Sequence, residues 1–468
     1  MIAMTMAELA QVTGGRLLPG TDADLPVSGP VVIDSRLAAS GGLFVCLVGE
    51  HVDGHEFAEA AVAAGAVGVL AGRPVAAPGI LVGDVTAALS VIARAVHDRS
   101  SATVVGVTGS SGKTSTKDLI AQVLEADAPT VAPRGSFNNE LGLPLTVCEI
   151  TPETRWLVCE FSARGAGHIA SLTRVAPPTL AAVLNVGRAH LGEFGTVDAI
   201  AAAKGELVEA LPAHGTAVLN LDDPRVAAMR DRTCATVVGY GVDPAADVRI
   251  HGLALDDHGR PAFRLSTPAG ETRLELSLSG AHNASNAAAT VALGLAAGLS
   301  LDAITAALLA AGPRSPHRMD VRHRPDGTVV IDDAYNANPE SMAAGIEALA
   351  RIPARRRWAV LGVMRELGAD SEALHEAIGR MAAERGIDEV VAVGPDAAAI
   401  AAGAAAVSRW AGAAATAGGP DEVLEILDAG VRAGDAVLVK ASNSERLWRV
   451  ADRLVAAPAV DPPSPVAP

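Results

Sequence analysis

Residues 102–118 read ATVVGVTGSSGKTSTKD: a short β-branched apolar run, a turn of Gly and Ser, then Lys-Thr opening a helical pattern. That order predicts a strand, a phosphate-cradling loop and a helix start. A triphosphate concentrates negative charge. A loop of small residues lets successive backbone N–H groups point at it, with the positive end of the helix dipole behind them. In this reading Thr108, Gly109, Ser110, Ser111 and Gly112 form the cradle, Lys113 reaches the β- and γ-phosphates of a bound triphosphate, and the Thr114 hydroxyl holds Mg²⁺. The strict pattern wants Gly where Val107 stands; the glycines fall at Gly106, Gly109 and Gly112, so the loop is a variant.

Composition narrows the classes around that loop. A chain of 468 residues is too long for one core, and roughly two or three domains are expected. With 50% hydrophobic and 19% charged residues the chain reads as globular. No run of about 18 apolar residues suggests a membrane span. The start, MIAMTMAELAQVTGG, lacks the basic and apolar segments of a signal peptide, so a cytoplasmic enzyme is expected. A net charge of −16 and 3% aromatic residues argue against nucleic acid as a partner. Cys46, Cys148, Cys159 and Cys234 are scattered and read as small buried hydrophobes.

Outward from the loop, the pattern predicts an α/β protein of three domains: a small α/β unit at 1–100, a central ATP-binding unit at 101–312 and a Rossmann-like unit at 313–455. A Pro/Ala-rich tail at 456–468 reads as disordered. Strand and helix alternate through the central unit, which predicts a parallel doubly wound sheet with its ligand beyond the carboxyl ends of the strands. That rule gathers scattered polar residues onto one rim. Glu160 ends the strand begun at Trp156, where it is either a solvated strand-end residue or the carboxylate that a nucleotide site offers to Mg²⁺; the strand 179–184 runs into His190, a loop or packing residue or a metal ligand. Lys204 shares an apolar helical face with Ile200 and Val208, where its spacing favours a lysine snorkelling to solvent over one recruited to the site. His282, Asn283 and Asn286 open an Ala-rich helix, where Asn283 caps it or all three face a nucleotide. In the third unit Arg318 follows a Pro-flanked linker, the strand 329–331 delivers Asp332, Asp333, Tyr335, Asn336 and Asn338, and another delivers Lys440. In the first unit Asp34, Ser35 and Arg36 follow a strand, where a surface salt bridge is the simpler account and phosphate binding by Arg36 the sharper one.

Read together, Asp34-Ser-Arg36, Thr108-Gly-Ser-Ser-Gly-Lys-Thr114, Phe137-Asn-Asn-Glu-Leu-Gly-Leu-Pro144, Asn185-Val-Gly-Arg-Ala-His190, Gly280-Ala-His-Asn283 and Asp333-Ala-Tyr-Asn-Ala-Asn-Pro339 resemble the Mur ligases, ATP-dependent amide-forming enzymes of peptidoglycan precursor synthesis. The resemblance implies a monomer with ATP and Mg²⁺ as cofactors and small-molecule partners, UDP-MurNAc-tripeptide and D-Ala-D-Ala. It implies that Thr114 and Glu160 hold one Mg²⁺, that His190 and a carbamylated Lys204 serve a second, and that Lys113, Glu160, His190 and Lys204 form the catalytic set. It places His282, Asn283, Asn286, Arg318, Asp333, Asn336 and Asn338 at the nucleotide, and Ser35, Arg36, Asn138, Asn139, Tyr335 and Lys440 toward the peptide substrates. Asn443 stands where many family members carry Arg, which passes a carboxylate-binding role to Lys440 or Arg446. The Phe-Asn-Asn stretch and the separate first domain weigh against a folylpolyglutamate synthetase, and the intact lysines against a non-catalytic nucleotide-binding paralogue.

Overall fold

The computed structural model describes residues 1–49, 51–189 and 191–456. The tail expected to be disordered lies, beyond Ala456, outside them.

Three larger sheets follow one another along the chain, beside a two-stranded antiparallel pair, Met4–Thr5 with Pro26–Val27. The first contains the strands Val31–Val32, Leu43–Val45, Gly68–Ala71 and Gly79–Leu81 in parallel, with Arg16–Leu17 antiparallel at the edge. The second has nine strands in the order 270–275, 261–267, 248–255, 236–241, 216–220, 180–183, 103–108, 156–160, 130–131. From 248–255 to 130–131 neighbours run parallel, as expected; at the other edge Pro261–Thr267 and Gly270–Glu275 run antiparallel. The alternation of strand and helix therefore stops short of this edge. The turn at 256–260 closes with the Gly259 N–H on the Asp256 carbonyl, and the next turn holds only two residues, so neither can carry the crossover that a parallel pair requires. The third sheet runs 320–323, 329–332, 436–440, 357–362, 389–393, 413–417, parallel except for its first pair.

Burial divides the molecule differently from the sheets. Leu43 and Ile80 of the first sheet and Leu89, Ile92 and Val96 of the helix Val85–Asp98 share one apolar cluster with Val104, Leu157 and Leu207 of the central unit. The third sheet has clusters of its own on its two faces, built from residues such as Ile331, Met342 and Leu361 on one and Val360, Val437 and Leu454 on the other. Cys46, Cys148 and Cys159 are buried as expected, and burial pushes the Cys46 and Cys148 thiols up to about 12. Cys234 departs from the expectation: it is exposed, in the loop leading to the strand Thr236–Gly241.

Candidate active site

Register alone brings three polar segments together. The strand Thr103–Thr108 lies between Trp156–Glu160 and Leu180–Val183, with Val107 opposite Glu160 and Thr108 opposite Val183. The loop 109–112 therefore emerges between Glu160 on one side and Asn185 on the other. Gly112 takes φ +78°, and a Cβ there would lie 2.9 Å from the Asn286 amide oxygen; both facts require glycine where the loop turns into the helix Lys113–Glu125.

Hydrogen bonds hold the loop from both flanks. Asn185 Oδ1 accepts from the Ser110 and Ser111 N–H groups at 3.0 and 2.9 Å, and its amide donates to the Ser111 carbonyl. Lys113 Nζ folds back onto the Gly109 carbonyl at 2.8 Å. The Thr114 hydroxyl donates to Glu160 Oε2 at 2.9 Å and meets the Ser136 hydroxyl at 3.0 Å, while Asn138 Nδ2 donates to Glu160 Oε1 at 2.7 Å. Burial holds Lys113 below the usual lysine range, against the pull of Glu160 and with a push from Arg318.

The third unit closes the other wall of a cleft of about 490 Å³. Arg318 donates to the Ser136 hydroxyl at 2.7 Å and lies over the Tyr335 ring, 4.2 Å from its centroid. Its two neighbours, His317 and Met319, both have left-handed backbones, with φ of 59° and 49°. They are held there by His317 Nδ1 against Asp332 at 2.6 Å and by the Met319 N–H on Asp333 Oδ1 at 3.0 Å. Strain kept by specific contacts on both sides of a cleft arginine points to a required side-chain direction. The parallel pairing of Asp332 with Val439 sets Asp333 beside Lys440, whose ammonium lies 2.5 Å from the Asp333 carboxylate and 2.9 Å from the Asn336 carbonyl.

Of the residues singled out in the sequence, the cleft is lined by Ser110, Ser111, Gly112, Lys113, Thr114, Asn138, Asn139, Glu160, His282, Asn286, Arg318, Asp333, Tyr335, Asn336, Asn338 and Lys440. Several play parts the sequence did not indicate. Thr108 turns away and donates to the Phe161 carbonyl. Asn283 is no N-cap: it sits inside the helix His282–Ala296, donates to the Ser279 carbonyl and accepts from Asn286. Asn138 is tied to Glu160, and Asn139 caps Gly142 at 2.9 Å. Asn338 caps the helix Pro339–Arg351. Lys440 is buried and already paired, so it offers no free cation in place of the arginine missing at 443. Burial lowers the His282 imidazole. Lys204 is 4% exposed and does not reach solvent; burial, with Lys113 nearby, holds its amine well below the usual lysine range. Ser35 and Arg36 are not part of the cleft lining; Arg36 pairs with Asp34 at 2.6 Å on the surface of the first unit. His190 lies outside the described residues. Ser136 was missed as a site residue and Asn185 was quoted only within the motif 185–190, without a role, because a serine and an asparagine in loops carry no local signal of the partners that register brings to them.

The Mur ligase middle domain matches residues 107–294, the glutamate ligase domain 317–443, and the Mur ligase catalytic domain 30–113. The chain is 45% identical over 501 aligned residues to the UDP-N-acetylmuramoyl-tripeptide--D-alanyl-D-alanine ligase of Mycobacterium tuberculosis, covering 97% of this chain and 98% of that one. Among solved structures, MurF from Acinetobacter baumannii superposes with a TM-score of 0.86 at 30% identity over 97% of this chain and 99% of its own. MurF ligase from Thermotoga maritima in complex with ADP gives 0.79 at 31% identity over 91% and 97%. A phosphate loop braced by Asn185, faced by an arginine and an aspartate from the third unit, and likeness along nearly its whole length together establish that this chain belongs to the Mur ligase family.

Proposed function

We propose that this chain joins D-alanyl-D-alanine to UDP-N-acetylmuramoyl-tripeptide at the expense of ATP, giving UDP-N-acetylmuramoyl-pentapeptide, ADP and phosphate in peptidoglycan precursor synthesis. The observation that carries this reading is full-length likeness, at 45% identity, to a relative bearing that name, joined to a cleft in which a phosphate loop and a second domain face each other. The labour divides with the chain: residues 1–100, with Ser35 and Arg36, take the UDP-sugar peptide, 101–312 take ATP, and 313–455 close over both.

A carboxylate is a poor electrophile at neutral pH. Transfer of the γ-phosphoryl group to the terminal carboxylate of the tripeptide supplies a leaving group, and the amine of D-alanyl-D-alanine then displaces phosphate to form the amide. Lys113, the N-terminus of the helix it opens and Arg318 stabilise the charge spread over the transferring group. Seating of the third unit excludes water from the acyl phosphate. Thr114 and Glu160 fit Mg²⁺, since a hydroxyl and a carboxylate 2.9 Å apart beside a phosphate loop are the hard oxygen donors it takes. Mg²⁺ held by Thr114 and Glu160 would supply neutralisation of the phosphate charge. Lys204 suits carbamylation: burial disfavours the charged form of its amine, and it is the neutral amine that adds CO₂, with loss of a proton, to become an oxygen-ligand anion. His190 and this carbamate are the proposed ligands of a second ion.

Purified protein is expected to release phosphate only when UDP-MurNAc-tripeptide and D-alanyl-D-alanine are both present. Equal release with L-alanine or L-glutamate in place of the dipeptide would transfer the chain to another step of the family. A Lys204→Ala variant is expected to lose activity and regain part of it with added short-chain acids; absence of rescue, with the wild type unaffected by the acids, counts against the carbamate.

A further inference from the structure

Glu340 is the second residue of the helix Pro339–Arg351 in the third unit, and the reading above gives it no role. Its carboxylate crosses to the central unit, where Oε1 accepts from the Arg188 backbone N–H at 2.8 Å. The segment it touches is the one that holds the phosphate loop. Gly187 N–H donates to the Ser110 hydroxyl at 2.8 Å, Asn185 Oδ1 accepts from the Ser110 and Ser111 N–H groups, and Val186 N–H is anchored on Asp223 at 2.7 Å. The approach is close: a Cβ on Gly187 would lie 2.7 Å from the Glu340 carboxyl carbon and from Oε1, so the carboxylate would have to shift away from it. The other oxygen, Oε2, is buried with no donor among the described residues. Glu340 is not needed as the helix cap, because Asn338 and Ser341 already form a reciprocal one. A carboxylate half satisfied at a domain junction is costly as packing and informative as a contact.

We propose that Glu340 is a positioning residue for the phosphate loop, transmitting the seating of the third unit through Arg188, Gly187 and Asn185 to the Ser110 and Ser111 N–H groups. The loop is then fully ordered for ATP only when the third unit is docked, which couples closure to phosphoryl transfer. A second contact, Gly192 N–H on the Glu366 carbonyl at 3.0 Å, holds the two units together without touching the loop. Removal of the Glu340 carboxylate therefore loosens the loop without undocking the third unit. The proposal rests on the ligase reading for its effect on turnover, but not for its effect on the loop.

The test compares Glu340→Ala, Glu340→Gln and Gly187→Ala in the full chain. Glu340→Ala and Gly187→Ala are each expected to raise KM for ATP about tenfold, the worth of one charge-assisted hydrogen bond. Glu340→Gln, which keeps a carbonyl oxygen for the Arg188 N–H, is expected to stay within about threefold of wild type. The double variant Glu340→Ala/Gly187→Ala is expected to be no worse than either single one, because both break the same link. Independently of ligation, hydrogen exchange in the presence of ADP is expected to quicken in peptides covering 109–112 and 185–188 of Glu340→Ala, with exchange within 342–351 unchanged. Unchanged exchange at 109–112, or additive losses in the double variant, would overturn the proposal. Wild-type protein that shows the exchange coupling yet fails to ligate the dipeptide would overturn the function and leave this inference standing.

Discussion

Glu160 is the residue on which the phosphate loop and the loop after it converge. One oxygen takes the Thr114 hydroxyl and the other the Asn138 amide, so its negative charge is held in a fixed direction beside the loop. Glu160→Gln keeps the size and one acceptor but removes the charge that a divalent cation needs. The expected outcome is a preserved fold by circular dichroism and a Mg²⁺ concentration for half-maximal activity raised by about tenfold or more, read from a magnesium titration at saturating ATP. An unchanged magnesium requirement would remove Glu160 from the metal site. Lys113 differs in kind: its ammonium rests on the Gly109 carbonyl, which uses one of its three donors and leaves two for phosphate oxygens.

At the scale of the element, the stretch 133–139 is irregular yet carries Ser136, Asn138 and Asn139 into the cleft. Its placement is secured from behind by Lys117 on the helix Lys113–Glu125. This lysine is 2% exposed, donates to the Pro133 carbonyl at 2.9 Å and pairs with Asp118. Its removal leaves a nearly buried carboxylate without its cation and a carbonyl without its donor. Lys117→Ala is expected to lower stability by about 3–5 kcal/mol, measured by urea unfolding, because breaking a buried pair from one side leaves the other charge uncompensated. It is also expected to raise KM for ATP through the loosened Ser136 and Asn138. A loss under about 1 kcal/mol would show that the pair is screened by solvent. The helix itself is satisfied on its apolar side, where Leu119, Ile120 and Val123 join Ala287 and Val291 of the helix His282–Ala296.

For the whole molecule, the distribution of apolar clusters matters more than the count of sheets. The first and central units share one core and are expected to unfold together, whereas the third has its own and meets the central unit through contacts such as Arg318 with Ser136 and Glu340 with Arg188. Differential scanning calorimetry is expected to show two transitions without ligand, and ADP at about a hundredfold over its Kd to raise the transition of the central unit by about 2.7 kcal/mol of stability. A single transition at all nucleotide concentrations would mean that the polar junction is as cohesive as a core. No helix among the described residues is long and apolar enough to cross a membrane.

What the sequence determined by itself was local. Ala102–Asp118 contains its own strand, turn and helix start, and the strands ending at Glu160, Asp332 and Lys440 are short apolar runs whose polar last residues already mark the rim. These are properties of neighbours in sequence, set by backbone sterics and burial, and they needed no knowledge of the rest of the chain. The antiparallel edge at 248–275 was hidden because strand runs look alike until the length of each turn is weighed. Tertiary structure alone decided that Asn185 braces the loop, that Ser136 bridges Thr114 and Arg318, and that Lys204 is sealed from water instead of snorkelling. It also decided that Glu340 of the third unit reaches Arg188. Each of these depends on a contact between residues far apart in the chain, and such contacts exist only after register and packing have fixed which loop faces which.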